Sequence, residues 1–262
     1  MRNNKKNRNV PFFLLILTLL TASASAAEVS STFWNTEKTQ HFIIYYQAGD
    51  MTFIRGLADA AERNYNSIVD ELGFRRMDFW VWDNRAKIYI YPDSKEFHKD
   101  TEGEDWSKAV VYVRGRTIKS FIGQQGFFDS ILPHEMTHII FREFIGTNIA
   151  LPLWIDEGVA TSQEKSHLEG RLQFARELIR KNKYIDFQKF LRLYKIVDDE
   201  PQVFYAQSAS IITFLIRRYG KERFLDFSRK LRDGIPWDAA LLSVYGFADL
   251  SEMEAAWKEF LS

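Results

Sequence analysis

Cysteine is missing from all 262 residues. No disulfide can form, and no lipid can be attached through a cysteine behind a leader segment. An excess of one charge is missing too, because 35 Lys and Arg stand against 35 Asp and Glu. Such a chain lacks the basic footprint that a phosphate backbone demands, so nucleic acid is not an expected partner. Long apolar runs are scarce. Pro11 to Leu20 is apolar, but it falls well short of the roughly 20 residues that span a bilayer. There is no repeat, no low-complexity tract and no linker long enough to separate two domains.

The flanks of that short run give it a meaning. Arg2, Lys5, Lys6 and Arg8 precede it, and Ala22-Ser23-Ala24-Ser25-Ala26-Ala27 follows. A charged start, a brief apolar core and a small-residue cleavage site describe a signal peptide over residues 1–26, cut near Ala26 or Ala27. Its removal takes four basic residues and no acidic one, leaving 31 against 35, a net charge of −4. The expectation is an exported bacterial protein, periplasmic or extracellular, with residues 27–262 as the working domain and no stable membrane span. The absence of cysteine fits that destination.

The remaining chain is rich in aromatic residues and can bury a sizeable core. Period-two patterning predicts strands at His41–Gln47, Ala86–Tyr91, Ala109–Val113 and Thr117–Ile122, the last two forming a hairpin at Arg114-Gly115. Ile54, Leu57, Ala60, Ala61, Tyr65, Ile68 and Leu72 recur at helical spacing, predicting a helix over Thr52–Leu72 behind Asp50 as cap. A short helix is expected at Ser94–Asp100. From Phe127 onward the chain reads as almost all helix, with amphipathic segments at 208–218, 222–231, 237–244 and 251–260, broken at Gly220, Gly234 and Gly246.

Within the helical part stands His134-Glu135-Met136-Thr137-His138. Two histidines four apart share one helix face and can share one metal ion. The glutamate between them sits where it can polarise a water on that metal. Their neighbours Leu132, Met136, Ile139 and Ile140 are apolar, so the pair is semi-buried and needs partners. Eighteen residues separate His138 from Glu157, which stands in Trp154-Ile155-Asp156-Glu157-Gly158. That gap suits one helix ending, a loop through Gly146-Thr147-Asn148, and a second helix returning antiparallel. Glu157 is the expected third ligand, with Asp156 the alternative acid.

His134-Glu135-x-x-His138 with Glu157 in Trp-x-x-Glu-Gly resembles the gluzincin metallopeptidases. The spacing is similar to that of the alanyl-aminopeptidase branch. The small size, and Tyr205-Ala206-Gln207-Ser208 leading into an apolar helix, look more like the compact peptidase-MA-like domains of bacterial exported proteins. The resemblance covers roughly residues 120–262. It implies an α+β zincin-like fold, a small mixed sheet followed by a mainly helical half with the metal-binding helix at the join. It implies Zn2+ held by His134, His138 and Glu157, Glu135 as catalytic base, Tyr205 as donor to the oxyanion, and a peptide or protein substrate. The sequence departs from the pattern twice. It has no Gly-x-Met-x-Asn segment to hold a free amino terminus, which points to an endopeptidase. Four residues after Glu157, where thermolysin-like enzymes carry an aspartate that supports a histidine, stands Thr161.

Two imidazoles and a carboxylate form a borderline-soft site that suits zinc and leaves a position for water. Glu135 would take a proton from that water and hand it to the leaving amine. Tyr205 has a second reading, as a core aromatic beside Phe204. Ser130, one turn before His134, could orient that histidine or serve as helix N-cap with Pro133 in the tolerated first turn; Asp129 is the alternative cap. His41, His98 and His167 read as structural or exposed, Arg180–Lys183 as a solvated face, and Asp198-Asp199-Glu200 as a loop. The competing function is a binding module that keeps the zincin fold with a structural or lost metal; an intact Glu135 argues against it, since a structural site needs no base.

Overall fold

The computed structural model describes residues 33–47, 51–74, 80–101, 107–195 and 201–262. The expected signal peptide, the cap at Asp50 and the acidic loop at Asp198–Glu200 lie outside them.

Among the described residues five strands form one sheet: β1 (Asn35–Lys38), β2 (Phe42–Tyr46), β3 (Ala86–Tyr91), β4 (Ala109–Tyr112) and β5 (Thr117–Phe121), in spatial order β1-β2-β3-β5-β4. The three inner strands β2, β3 and β5 run parallel, and both edge strands run antiparallel to their neighbours. Alternation puts Phe42, Ile44, Ile88, Ile90 and Ile118 on one buried face. Helix α1 (Met51–Glu71) buries Ile54, Leu57, Ala61, Tyr65 and Ile68. It packs against β1 and β2 and against the helix that carries the histidine pair. His41 stacks on Tyr65, and its Nδ1 lies 2.6 Å from Glu62 Oε2, tying β2 to α1. The hairpin between β4 and β5 closes through a 3-10 turn at Val113–Gly115, followed by Arg116 in the left-handed region. The short helix α2 covers Ser94–Thr101.

The rest is helical: α3 (Leu132–Ile145), α4 (Leu153–Ser162), α5 (Lys165–Arg180), α6 (Phe187–Phe190), α7 (Pro201–Tyr219), α8 (Lys221–Arg232), α9 (Trp237–Tyr245) and α10 (Leu250–Leu261). Helix α3 touches α1 and β4 from the sheet half and α4 and α8 from the helical half. The architecture is thus α+β, with the histidine helix at the join. No helix among the described residues is long and apolar enough to cross a membrane.

Two local expectations fail. Neither Ser130 nor Asp129 caps α3. A π-type turn at Phe127–Ile131 leads into it, Ile131 takes the cap position with helical backbone angles, and no side chain caps the end. The turn satisfies the first amides by backbone bonds such as Ser130 N–H to the Gly126 carbonyl, so the serine hydroxyl is left for other use. The helix expected from residue 208 begins at Pro201 instead. Its first three turns are buried almost all round, which erases the amphipathic pattern that marks a surface helix.

Gly158 lets α4 lie directly on α7. A Cβ there would stand 2.7 Å from the Ser208 carbonyl oxygen and 2.8 Å from Ile212 Cγ1. Gly158→Ala gains about 1 kcal/mol of helix propensity. Forcing a methyl against a backbone carbonyl costs about 1–3 kcal/mol, and the rigidity of that neighbour favours the upper end. The expected net result is a loss of about 1–2 kcal/mol, read as a melting temperature lowered by roughly 2–8 °C. A melting temperature equal to or above that of the parent chain would refute the close contact.

Candidate metal centre

Helices α3 and α4 run antiparallel, as their end contacts show. Near the C-terminal end of α3, Arg142 grips Asp156 at the start of α4, with Nε 3.1 and 3.0 Å from its two oxygens and a terminal nitrogen at 2.9 Å. At the other end Ser130 reaches Glu164, just beyond α4, at 3.2 Å. Between these clamps His134 and His138 project from successive turns of α3, their Nε2 atoms 3.1 Å apart. Glu157 Oε2 lies 3.6 Å from the first and 3.9 Å from the second. The acid that faces the histidines is Glu157, while Asp156 is engaged by Arg142.

These three donors could hold a metal ion, all lying within 4.8 Å of one another and all buried. Tetrahedral ligands at about 2.0–2.2 Å from zinc stand about 3.3–3.5 Å from one another, and the three separations bracket that span. The surrounding charge gives an independent test of fit. Glu135, Asp156, Glu157 and Glu164 are each at most 4 % exposed. Arg142 and Arg171 pair with two of them. With neutral imidazoles the cluster carries two uncompensated negative charges, which burial makes costly. Both oxygens of Glu135, and Oε2 of Glu157, are buried with no hydrogen-bond partner. A divalent cation beside them matches the deficit.

The titration behaviour has the same cause. Burial opposes a charge on His134, yet the Glu157 and Glu164 carboxylates beside it outweigh burial and push the imidazole up to about 10. His138 is also raised, against burial, chiefly by Glu157 and Asp156. Burial pushes the Glu135 carboxyl up, against the two histidines. Asp156 is held down at about 2 despite its burial, by His138 and Arg142, and Glu164 likewise by His134 and Arg171. The pocket draws positive charge.

Glu164 and Arg171, which the sequence did not single out, stand behind the donors together with Ser130 and Asp156. Glu164 Oε1 lies 2.8 Å from His134 Nδ1, and Glu164 Oε2 takes an Arg171 terminal nitrogen at 2.7 Å along with the Ser130 hydroxyl. Asp156 Oδ1 is 3.7 Å from His138 Nδ1, facing it but beyond hydrogen-bond reach. Thr161 is buried without a carboxylate to offer. His167 is half-exposed in the first turn of α5, with Nδ1 3.1 Å from Ser130 Oγ. His98 bonds the Ser107 carbonyl oxygen.

Tyr205 is buried on α7, its ring beside Phe204 and 6.0 Å from the Arg171 guanidinium. It lies one turn before Ser208, whose carbonyl meets Gly158, so its helix crosses α4 next to Glu157. Tyr205→Phe discriminates the two readings of this residue. As an oxyanion donor acting mainly in the transition state, it should lower kcat by about 10²-fold with KM and metal content little changed. A core aromatic would instead leave turnover intact and lose only about 1 kcal/mol of stability.

A family model described as the Peptidase MA superfamily matches residues 82–262. No curated protein matches the chain.

Proposed function

The chain belongs to the peptidase MA superfamily, and from that membership we propose that it is an exported zinc-dependent endopeptidase. The observation that carries the reading is the approach of His134, His138 and Glu157 to one another in a buried, negatively charged pocket. In this reading those three side chains hold the ion. Bound zinc supplies Lewis acidity, lowering the pKa of a coordinated water to about 7 and polarising the scissile carbonyl.

The chain's own residues do the rest. Glu135 lies between the two histidines on α3, and its raised carboxyl suits a group that accepts a proton from water and passes it to the leaving amine. Arg142 and Asp156 hold α4 against α3, keeping Glu157 beside the imidazoles. The Tyr205 hydroxyl donates a hydrogen bond to the oxyanion of the tetrahedral intermediate. Strand β4 is a sheet edge touching α3, whereas β5 is paired on both sides. The peptide backbone therefore adds to β4, a mode that needs little sequence preference. No segment is recognisable as a clamp for a free amino terminus, which favours internal cleavage. Export rests on the leader pattern of residues 1–26 and the lack of cysteine.

Elemental analysis of the purified protein should find one zinc per chain, and a peptide-library digest should show internal cuts, including in peptides with blocked amino termini. Stepwise trimming of free peptides alone would overturn the endopeptidase reading, and the absence of both metal and hydrolysis would overturn the whole.

A further inference from the structure

Thr161 occupies the position four residues after Glu157, and its buried hydroxyl has no hydrogen-bond partner. A ligating imidazole nevertheless needs its second nitrogen engaged, since that bond fixes the tautomer and the ring plane. The engaged group here is a different one. Glu164 lies three residues beyond Thr161, about one further helical turn, and its longer side chain returns toward α3.

We infer that Glu164 is the positioning residue for His134: its carboxylate accepts the Nδ1 proton, directs Nε2 toward Glu157 and His138, and is itself held by Arg171 and Ser130. The inference rests on the metallopeptidase reading of the site. An ionised carboxylate can only accept, so the 2.8 Å contact requires Nδ1 of His134 to carry the proton and leaves the Nε2 lone pair as donor. Both oxygens of the carboxylate are engaged. Oε1 faces His134, and Oε2 faces Arg171 at 2.7 Å and Ser130 at 3.2 Å. Its backbone is fixed as well. The Glu164 amide donates to the Thr161 carbonyl, and its carbonyl accepts from His167 and Leu168 in the first turn of α5. The two-residue connection between α4 and α5 therefore acts as a rigid bracket. The aromatic face of Tyr205 lies against the same Arg171, so one guanidinium touches both the bracket and the helix that crosses Glu157.

The test compares Glu164→Gln and Glu164→Ala with the parent and with Glu169→Gln, an exposed acid on α5 as control. Zinc dissociation constants and visible spectra of the cobalt-substituted proteins are measured, and folding is checked by circular dichroism. The alanine variant should bind zinc about 10–100-fold more weakly and shift the cobalt ligand-field bands. The glutamine variant, which can still accept the Nδ1 proton, should fall between, and the control should match the parent. Simple loss of packing would not alter the cobalt bands of the folded fraction. Parent-like affinity and spectra in both variants would overturn the inference. If the parent itself binds no zinc, the metallopeptidase reading fails instead. Should the alanine variant not fold, Glu164→Gln and Ser130→Ala decide: weaker zinc binding in both supports the inference, and parent-like binding in both ends it.

Discussion

Replacing Glu135 by glutamine is expected to lower kcat for peptide hydrolysis by about 10³-fold while zinc stays bound. General acid–base catalysis by one side chain contributes about 10²–10⁴-fold, and this carboxylate is asked to act twice, first accepting a proton and then returning it. Glutamine keeps the shape and the burial but has no basic oxygen. Both carboxylate oxygens are buried without a hydrogen-bond partner, so the substitution breaks no structural bond, and the uncharged amide removes a burial cost. The variant should therefore be at least as stable as the parent. Three measurements define the result: metal content unchanged, melting temperature equal or higher, kcat collapsed with KM little altered. Hydrolysis at the parent rate would remove Glu135 from the chemistry.

The parts of this molecule that were legible in the sequence are those whose local pattern and tertiary role agree. Strand β3 starts and ends where alternation predicts, at Ala86 and Tyr91, because Ala86, Ile88 and Ile90 are fully buried on one face of the sheet. The hairpin of β4 and β5 is announced by its turn, and the helices α1, α8, α9 and α10 by stripes that are apolar on one side only. Strand β1, Asn35 to Lys38, is polar throughout and mostly exposed; backbone pairing to β2 alone makes it a strand, and no side-chain period records that. The early turns of α7 hide for the opposite reason, being buried on nearly every side.

The pocket divides in the same way. His134, Glu135, His138 and Glu157 fall at spacings set by helix geometry, so their meeting can be anticipated from the chain alone. Glu164 cannot be found that way. It stands in the polar stretch Thr161-Ser162-Gln163-Glu164-Lys165-Ser166, which looks like a solvated connection, and only the packing of α4, α5 and the turn before α3 buries it. A trace of the signal existed. Thr161 leaves a histidine without the support its position supplies elsewhere, and a longer acid one turn later can reach back. Ser130 illustrates the converse, because its residue type and position suggest a cap, yet the π-type turn makes a cap unnecessary and the hydroxyl turns to Glu164.

Stripping the metal is expected to abolish hydrolysis and to lower the melting temperature by an amount that grows as pH rises from about 6.5 toward 9. The first part follows from mass action. Free zinc at about 1,000 times its dissociation constant stabilises the native state by about 4 kcal/mol, or roughly 8–16 °C for a chain of this size. The pH dependence follows from the groups left behind. With only the chain's own groups around it, His134 is pushed up to about 10, against about 6.5 in an unfolded chain. A raised imidazole stabilises the fold fully below the unfolded value, and that contribution is lost as pH climbs through the folded one. His138 shifts in the same direction. The metal-free protein should thus lose up to about 1.4 kcal/mol per pH unit for one such group across this window. Glu164 and Asp156, both held at about 2, contribute stability that disappears only in acid, well below the window, so they do not alter the sign. In the zinc-loaded protein the imidazole nitrogens are already without their protons, and the slope is absent. Melting curves of loaded and chelated protein at pH 6, 7, 8 and 9 should diverge steadily, and zinc titrated into the chelated protein at pH 8 should release protons. A gap that stays constant or narrows as pH rises, with no proton release, would mean that His134 and His138 do not meet the metal.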